Sequence, residues 1–238
     1  MTAPFWEARA IYVVRSGSHA YGTNLPTSDE DSRGVCIPPA DYILGLKRFE
    51  QFEDPERDRT IYSLHKFVNL ALNCNPNIIE LLHVREQDIL HMTLGGERLR
   101  DAADLFVTRR VFKTFGGYAF AQLQLLHKNK TARHGSHAGL VEQYGFDTKN
   151  ALHLIRLLRM GVEILRTGEV NTYRPDREEL LAIRQGEWPL ERVLAEAARL
   201  DRELKQAHDT SRLPESPDFE AVNHLVMELT ASALEGRL

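Results

Sequence analysis

Near the N-terminus, two short groups of side chains have the types and spacing that chemistry on phosphates requires. Gly17 and Ser18 end an apolar run, and Asp29 and Asp31 follow eleven and thirteen residues after Ser18. A glycine turn lets backbone N–H groups approach a phosphate, and the serine hydroxyl can add a hydrogen bond. Alternate residues of a strand share a face, so the pattern predicts an acidic strand whose paired carboxylates a divalent cation would neutralise. Either feature alone is common, but their combination predicts a phosphate cradle beside a metal platform.

Three stretches carry a family resemblance: residues 17–35 (GSHAYGTNLPTSDEDSRGV), residues 60–82 and residues 146–188. They resemble the Gly-Ser and Asp-x-Asp signature of the DNA-polymerase-β-like nucleotidyltransferases and, within that superfamily, the predicted nucleotidyltransferases associated with RNA repair. The resemblance implies transfer of a nucleoside monophosphate from an NTP, such as ATP, to an acceptor hydroxyl, with release of pyrophosphate. It also implies Mg²⁺ or Mn²⁺ as the cofactor.

The superfamily uses three carboxylates, which the resemblance places on this sequence as both catalytic residues and metal ligands. Asp29 and Asp31 match the first two. Asp58 best matches the third because it opens the strand before the next helix, although nearby acids leave that choice open: Glu53, Asp54 and Glu56. Two metal ions sharing such carboxylates would activate the hydroxyl and hold the phosphates.

A second set of polar residues lies on the predicted helix 149–165. Lys149, His153 and Arg156 share one face at helical spacing, opposite an apolar face. On the residues alone, structural ion pairs, for example with Glu163, are the favoured interpretation. The resemblance instead implies that these three residues, together with Gly17, Ser18 and His19, bind the nucleotide; His19 is equally well explained as an ordinary loop histidine.

The type of secondary structure predicted to position these residues changes along the chain. Strands are predicted at 10–17, 31–41 and 59–64, with a helix starting at Ser63 and stopping before Pro76. From residue 96 onward the patterns are helical, including one long helix over 97–126. We therefore predict an α+β protein with a mixed-sheet, polymerase-β-like nucleotidyltransferase head at 1–95 and an all-helical C-terminal domain at 96–238.

Composition further narrows the classes of protein to which the chain could belong. A net charge of −4 does not indicate bulk nucleic-acid binding, although the segment 125–137 is a local basic candidate that also fits a solvated loop. The sequence has no membrane-spanning apolar run and no signal-peptide pattern, and its two cysteines, Cys36 and Cys74, lack metal-ligand spacing. We expect a cytoplasmic protein without a membrane partner.

The acceptor is the open question. An RNA end is favoured by the resemblance. The alternatives are a protein adenylyltransferase acting on a partner such as a toxin, and a catalytically inactive nucleotide-binding regulator. The intact Gly-Ser and Asp-x-Asp pairs argue against the inactive form.

Overall fold

The computed structural model describes residues 4–129 and 138–237, and over them it confirms the α+β class. A five-stranded mixed sheet is accompanied by α-helices that separate into two compact units. The first unit contains the chain up to Phe106, the short segment Asn171–Tyr173 and the chain from Ser216 onward. The second contains Val107–Val170 and Arg174–Glu215. No helix in the described ranges is long and apolar enough to cross a membrane.

The sheet belongs to the first unit, and its strands run in the order β3-β4-β2-β1-β5. Only β2 and β4 pair in parallel, while the other neighbours are antiparallel. The strands are β1 (Ala10–Arg15), β2 (Ser32–Cys36), β3 (Gln51–Asp54), β4 (Arg59–Ser63) and β5 (Ile89–Met92).

The helices are short in the first part of the chain and longer in the second. They are α1 (Phe5–Ala8), α2 (Gly17–Tyr21), α3 (Ala40–Ile43), α4 (Leu64–Leu72), α5 (Pro76–Leu82), α6 (Leu94–Asp101), α7 (Val111–Asn129), α8 (Ala138–Tyr144), α9 (Thr148–Thr167), α10 (Arg177–Arg184), α11 (Leu190–Thr210) and α12 (Phe219–Leu234).

Different residues pack on the two faces of the sheet, because successive side chains of a strand point to opposite faces. On one face, Val13 and Ile61 form a small apolar cluster with Ala10 and Cys36, against which Trp6 packs. On the other face, Tyr12 donates a hydrogen bond from its hydroxyl to the Leu81 carbonyl oxygen of α5, at 2.8 Å. Helix α5 is therefore fixed against the face that carries Tyr12.

The second unit is built around α9, which packs against α7, α10 and α11. Asp147 caps α9 by accepting hydrogen bonds from the backbone N–H groups of Lys149 and Asn150. Apolar residues are buried on almost every side of the helix. Its geometry is consequently set by tertiary packing.

One predicted helix differs from the structure. The long helix expected over 97–126 is broken between Asp101 and Val111, where the buried Thr108 accepts a hydrogen bond from the Arg110 N–H group. The domain division at 95/96 stays a prediction; of the compact units, the first extends to Phe106 and includes the C-terminal helix α12. Most of the basic segment 125–137 lies outside the described residues, which omit 130–137.

Candidate active site

The predicted phosphate cradle and the first carboxylates meet where β1 ends. The Ser16 N–H group donates to the Asp31 carbonyl oxygen at 2.9 Å, so the two chain segments are joined at that edge. Gly17 follows with φ +61°, and α2 begins there. A Cβ atom on Gly17 would overlap the Asp31 carboxylate. Only glycine therefore lets the turn and this carboxylate lie so close together.

The prediction of an acidic strand through Asp29 and Asp31 is wrong in its bounds. β2 begins at Ser32, and the residues from Asp29 to Asp31 precede it without regular structure. The physical reason is that Gly17 turns the chain away into α2, so the residues before Asp31 have no strand to pair with. Asp31 is half-buried beside Gly17, whereas Asp29 is exposed.

Asp58 reaches the same edge through the parallel pairing of β2 and β4. Ser32 is in register with Arg59, and the Ser32 N–H group donates to the Asp58 carbonyl oxygen at 3.0 Å. The residues immediately before these strands, Asp31 and Asp58, are thus neighbours across the ladder. Asp58 itself has φ +45°, a conformation that aspartate tolerates better than most residues.

The donor chemistry at this edge fits a hard divalent cation, because the side chains of Asp29, Asp31 and Asp58 offer only carboxylate oxygens. Within residues 4–129 and 138–237, no three His, Cys, Asp or Glu side chains are gathered closely enough to hold a metal ion. Asp29 and Asp58 are exposed, so their side chains are free of packing that would prevent them from turning towards Asp31. The backbone brings Asp31 and Asp58, two of the three predicted ligands, to one edge, and the side-chain positions do not form a metal site in advance.

The remaining predicted cradle residues lie on α2. Ser18 is half-buried in its first turn, and its carbonyl oxygen accepts a hydrogen bond from the Thr23 N–H group. The His19 Nε2 atom is 3.4 Å from the Ser28 carbonyl oxygen. His19 therefore contacts the loop that leads into Asp29, which supports a loop-ordering role beside the predicted contact with nucleotide.

Lys149, His153 and Arg156 belong to the second unit. Lys149 is exposed at the start of α9, His153 is half-buried, and Arg156 is 3% exposed with its Nη1 atom 3.2 Å from the Met160 sulfur. Glu163, suggested as a partner of this stripe, forms an ion pair with Arg174 at 2.9 Å. The nucleotide-binding role of the three residues stays a prediction.

Sequence reasoning missed a group of residues behind the cradle. They line a cavity of about 90 Å³ next to Gly17, and among them are Tyr21, Glu80 and Thr172. Arg33, which the sequence places on the same strand face as Asp29 and Asp31, lines the same cavity. Arg33 donates to the Thr60 hydroxyl at 2.7 Å, and Glu80 is almost fully buried. An acid at an otherwise apolar helix position, in the run PNIIELL, was the available signal for Glu80.

Comparison with known proteins identifies the family of the chain. The family model described as RNA repair pathway DNA polymerase beta family matches residues 5–228. A protein of Enterobacteria phage T4, described as an uncharacterized 38.9 kDa protein in the nrdC-mobD intergenic region, is 29% identical over 125 residues. That match covers 46% of this chain and 37% of the phage protein. No solved structure matches.

Proposed function

The chain belongs to the RNA repair pathway DNA polymerase beta family, and we propose that it is a metal-dependent nucleotidyltransferase that modifies an RNA end. The observation that carries the proposal is the convergence of Gly17, Asp31 and Asp58 at one edge of the sheet. The Asp31 carboxylate lies against the Gly17 backbone there.

The reaction would follow from this placement. The hydroxyl oxygen of the acceptor attacks the α-phosphorus of the NTP, a new O–P bond forms, and the bond to the β-phosphate oxygen breaks to release pyrophosphate. Gly17 and Ser18 hold the phosphates through backbone N–H groups and the serine hydroxyl. Asp58 accepts the proton of the attacking hydroxyl.

Asp29, Asp31 and Asp58 would together hold Mg²⁺ or Mn²⁺. When bound, the cation neutralises charge on the phosphates and favours deprotonation of the hydroxyl. Without it, the carboxylates of this edge would repel the triphosphate. This chemistry accounts for acids standing next to a phosphate cradle.

A transfer assay tests the proposal. The protein is incubated with Mg²⁺, with each α-³²P-labelled NTP in turn, and with an RNA oligonucleotide whose 3′ hydroxyl is free or blocked by phosphate. We expect label on the free-ended RNA, which lengthens by single nucleotides, and none on the blocked control. Label on a protein from a lysate but not on RNA would favour adenylylation, and no label with any acceptor would contradict the proposal.

A further inference from the structure

The helix that carries the phosphate cradle is too short to hold its own position. Helix α2 has five residues, and isolated helices of that length are unstable in water. Its placement must therefore come from contacts with the rest of the first unit. A short hydrogen bond lies at its C-terminal end, where the Tyr21 hydroxyl donates to Oε2 of Glu80 at 2.6 Å.

Both partners of this hydrogen bond are inside the protein. Tyr21 is 7% exposed and Glu80 is 2% exposed. A hydrogen bond from a hydroxyl to a carboxylate is stronger than one between neutral groups, and its value increases in a low-dielectric interior. The bond thus ties α2 to α5, whose apolar side chains Ile78, Ile79 and Leu82 are themselves buried.

A three-residue segment far along the chain completes this arrangement. The Thr172 hydroxyl donates to the Glu80 carbonyl oxygen at 2.8 Å. The ring of Tyr173 fills the space beside Gly22, where any Cβ atom would overlap it, and the Arg85 guanidinium stacks on that ring at 3.4 Å. The segment Asn171–Tyr173 therefore supports both the residue after α2 and the residue that anchors it.

Stability alone does not explain why a carboxylate occupies this position. Burying a carboxylate is costly, and replacing buried charged groups by apolar residues of similar volume is often neutral or stabilising. A directional hydrogen bond does offer something that apolar packing does not, namely a fixed distance and orientation for its partner. The partner here is the helix that begins with Gly17 and Ser18.

We infer that Glu80 is a positioning residue for nucleotide binding: through Tyr21 it holds α2 so that Gly17 and Ser18 stay beside Asp31. The inference rests on the proposed function, because it concerns the same phosphate cradle. Loss of the Tyr21–Glu80 bond lets α2 shift, and the backbone N–H groups then bind the triphosphate less well. The effect appears in NTP affinity rather than in overall folding.

The experiment compares two tyrosines that each donate one buried hydrogen bond to α5. Tyr21→Phe breaks the bond to Glu80, and Tyr12→Phe breaks the bond to the Leu81 carbonyl, which does not involve α2. Calorimetry on the full chain measures the Kd of α,β-methylene ATP, which cannot be transferred, in Mg²⁺. We expect Tyr21→Phe to raise Kd about five- to tenfold, as loss of part of one charged hydrogen bond implies, and Tyr12→Phe to change it less than twofold.

A double-mutant cycle provides the second measurement. Glu80→Met should weaken binding by the same factor as Tyr21→Phe, and the double variant should be no worse than either, because both remove the same Tyr21–Glu80 bond. Additive losses, or equal Kd changes in the two tyrosine variants, overturn the inference. If Glu80→Met does not fold, the comparison of Tyr21→Phe with Tyr12→Phe still tests the inference. An unaltered protein that binds no nucleotide overturns the proposed function as well, whereas tight binding with no difference between variants overturns this inference alone.

Discussion

Gly17 forms the turn after β1 and also lies against Asp31 of the candidate metal site. Its substitution is therefore informative. Gly17→Ala places a Cβ atom where the Asp31 carboxylate lies and also strains the positive φ, at about 1–2 kcal/mol for the strain. We expect both a lower melting temperature and loss of transfer activity. Gly145→Ala is the matched control, because Gly145 has φ +80° and open space around its Cβ position. If both variants lose the same stability and both retain transfer, Gly17 does not form the cradle.

The identity of the third carboxylate is also decided at single residues. Asp58 is joined to β2 through the Ser32 N–H group, whereas Asp54 lies on the edge strand β3 and contacts Arg57 at 4.0 Å. Asp58→Asn should reduce kcat at least a hundredfold, a loss typical of removing a positioned general base, and asparagine tolerates the positive φ. Asp54→Asn should leave kcat within a factor of two. The reverse pattern in the same transfer assay would assign the role to Asp54.

The site could be predicted from sequence only where its residues are local. Gly17 and Asp31 are separated by α2 and the loop that follows it, and the turn glycine and the acids leave a recognisable pattern. Glu80 and Thr172 become neighbours only after α5 and the segment Asn171–Tyr173 have packed together. No periodicity or spacing in the sequence reports a contact across so many residues.

Among the elements, the central strands were predictable and the outer ones were not. β1 and β4 are rich in β-branched or apolar residues, and β1, β2 and β4 all lie within their predicted segments, although β2 begins only at Ser32. β3 and β5 have four residues each, with sequences QFED and ILHM, and lie at the two edges of the sheet. Strands this short form because a neighbouring strand supplies partners for their backbone hydrogen bonds. The β propensity of their own residues alone therefore does not predict them.

Helix α9 allows a test of the predicted nucleotide contacts. Arg156→Lys keeps the charge but loses the planar fork that suits phosphate, so a binding role predicts about a tenfold rise in the Kd of the NTP. Arg159→Lys is the control, because Arg159 already pairs with Asp176 and Glu179, each at 2.8 Å. We expect the control to lower the melting temperature without changing the Kd. If Arg156→Lys also lowers the melting temperature and leaves the Kd unchanged, Arg156 has a structural role and the predicted nucleotide contact is wrong.

The ion-pair network that joins α9 to its neighbours predicts a dependence of stability on pH. Burial would raise the pKa of Asp176, but Arg174 and Arg159 outweigh it and hold that pKa below its ordinary value of 3.8. The stabilisation is therefore complete above the ordinary value and is lost as the pH falls through the lower pKa of the folded state. At neutral pH, Asp176→Asn should lower the free energy of unfolding by roughly 2–3 kcal/mol.

Urea unfolding at pH 7 and below pH 4 checks this prediction. The unaltered protein should lose more stability on acidification than Asp176→Asn does, because the variant lacks the titrating group. The exposed Asp201→Asn serves as the control and should follow the unaltered protein at both pH values. Parallel pH profiles for all three proteins would show that Asp176 does not contribute through its charge.

For the molecule as a whole, the sequence predicts a sheet-containing part and a helical part, and the structure confirms that both are present. A sheet-containing head and a helical region correspond to the change of pattern near residue 96. The structure nevertheless returns α12 to the first unit, where it packs against α4, and assigns Asn171–Tyr173 to that unit as well. Amphipathic periodicity shows that a helix has an apolar face, but not which unit covers that face.

The most direct test of the account compares Asp31→Asn with Glu30→Gln in the Mg²⁺-dependent transfer of labelled NTP to RNA. The two acids are neighbours in the chain, but only Asp31 lies against Gly17, while Glu30 has a side chain that is 68% exposed. The account predicts that Asp31→Asn, folded as judged by its melting temperature, transfers no label, and that Glu30→Gln transfers as well as the unaltered protein. Undiminished transfer by Asp31→Asn would contradict the claim that this edge of the sheet holds the metal ion and carries out the reaction.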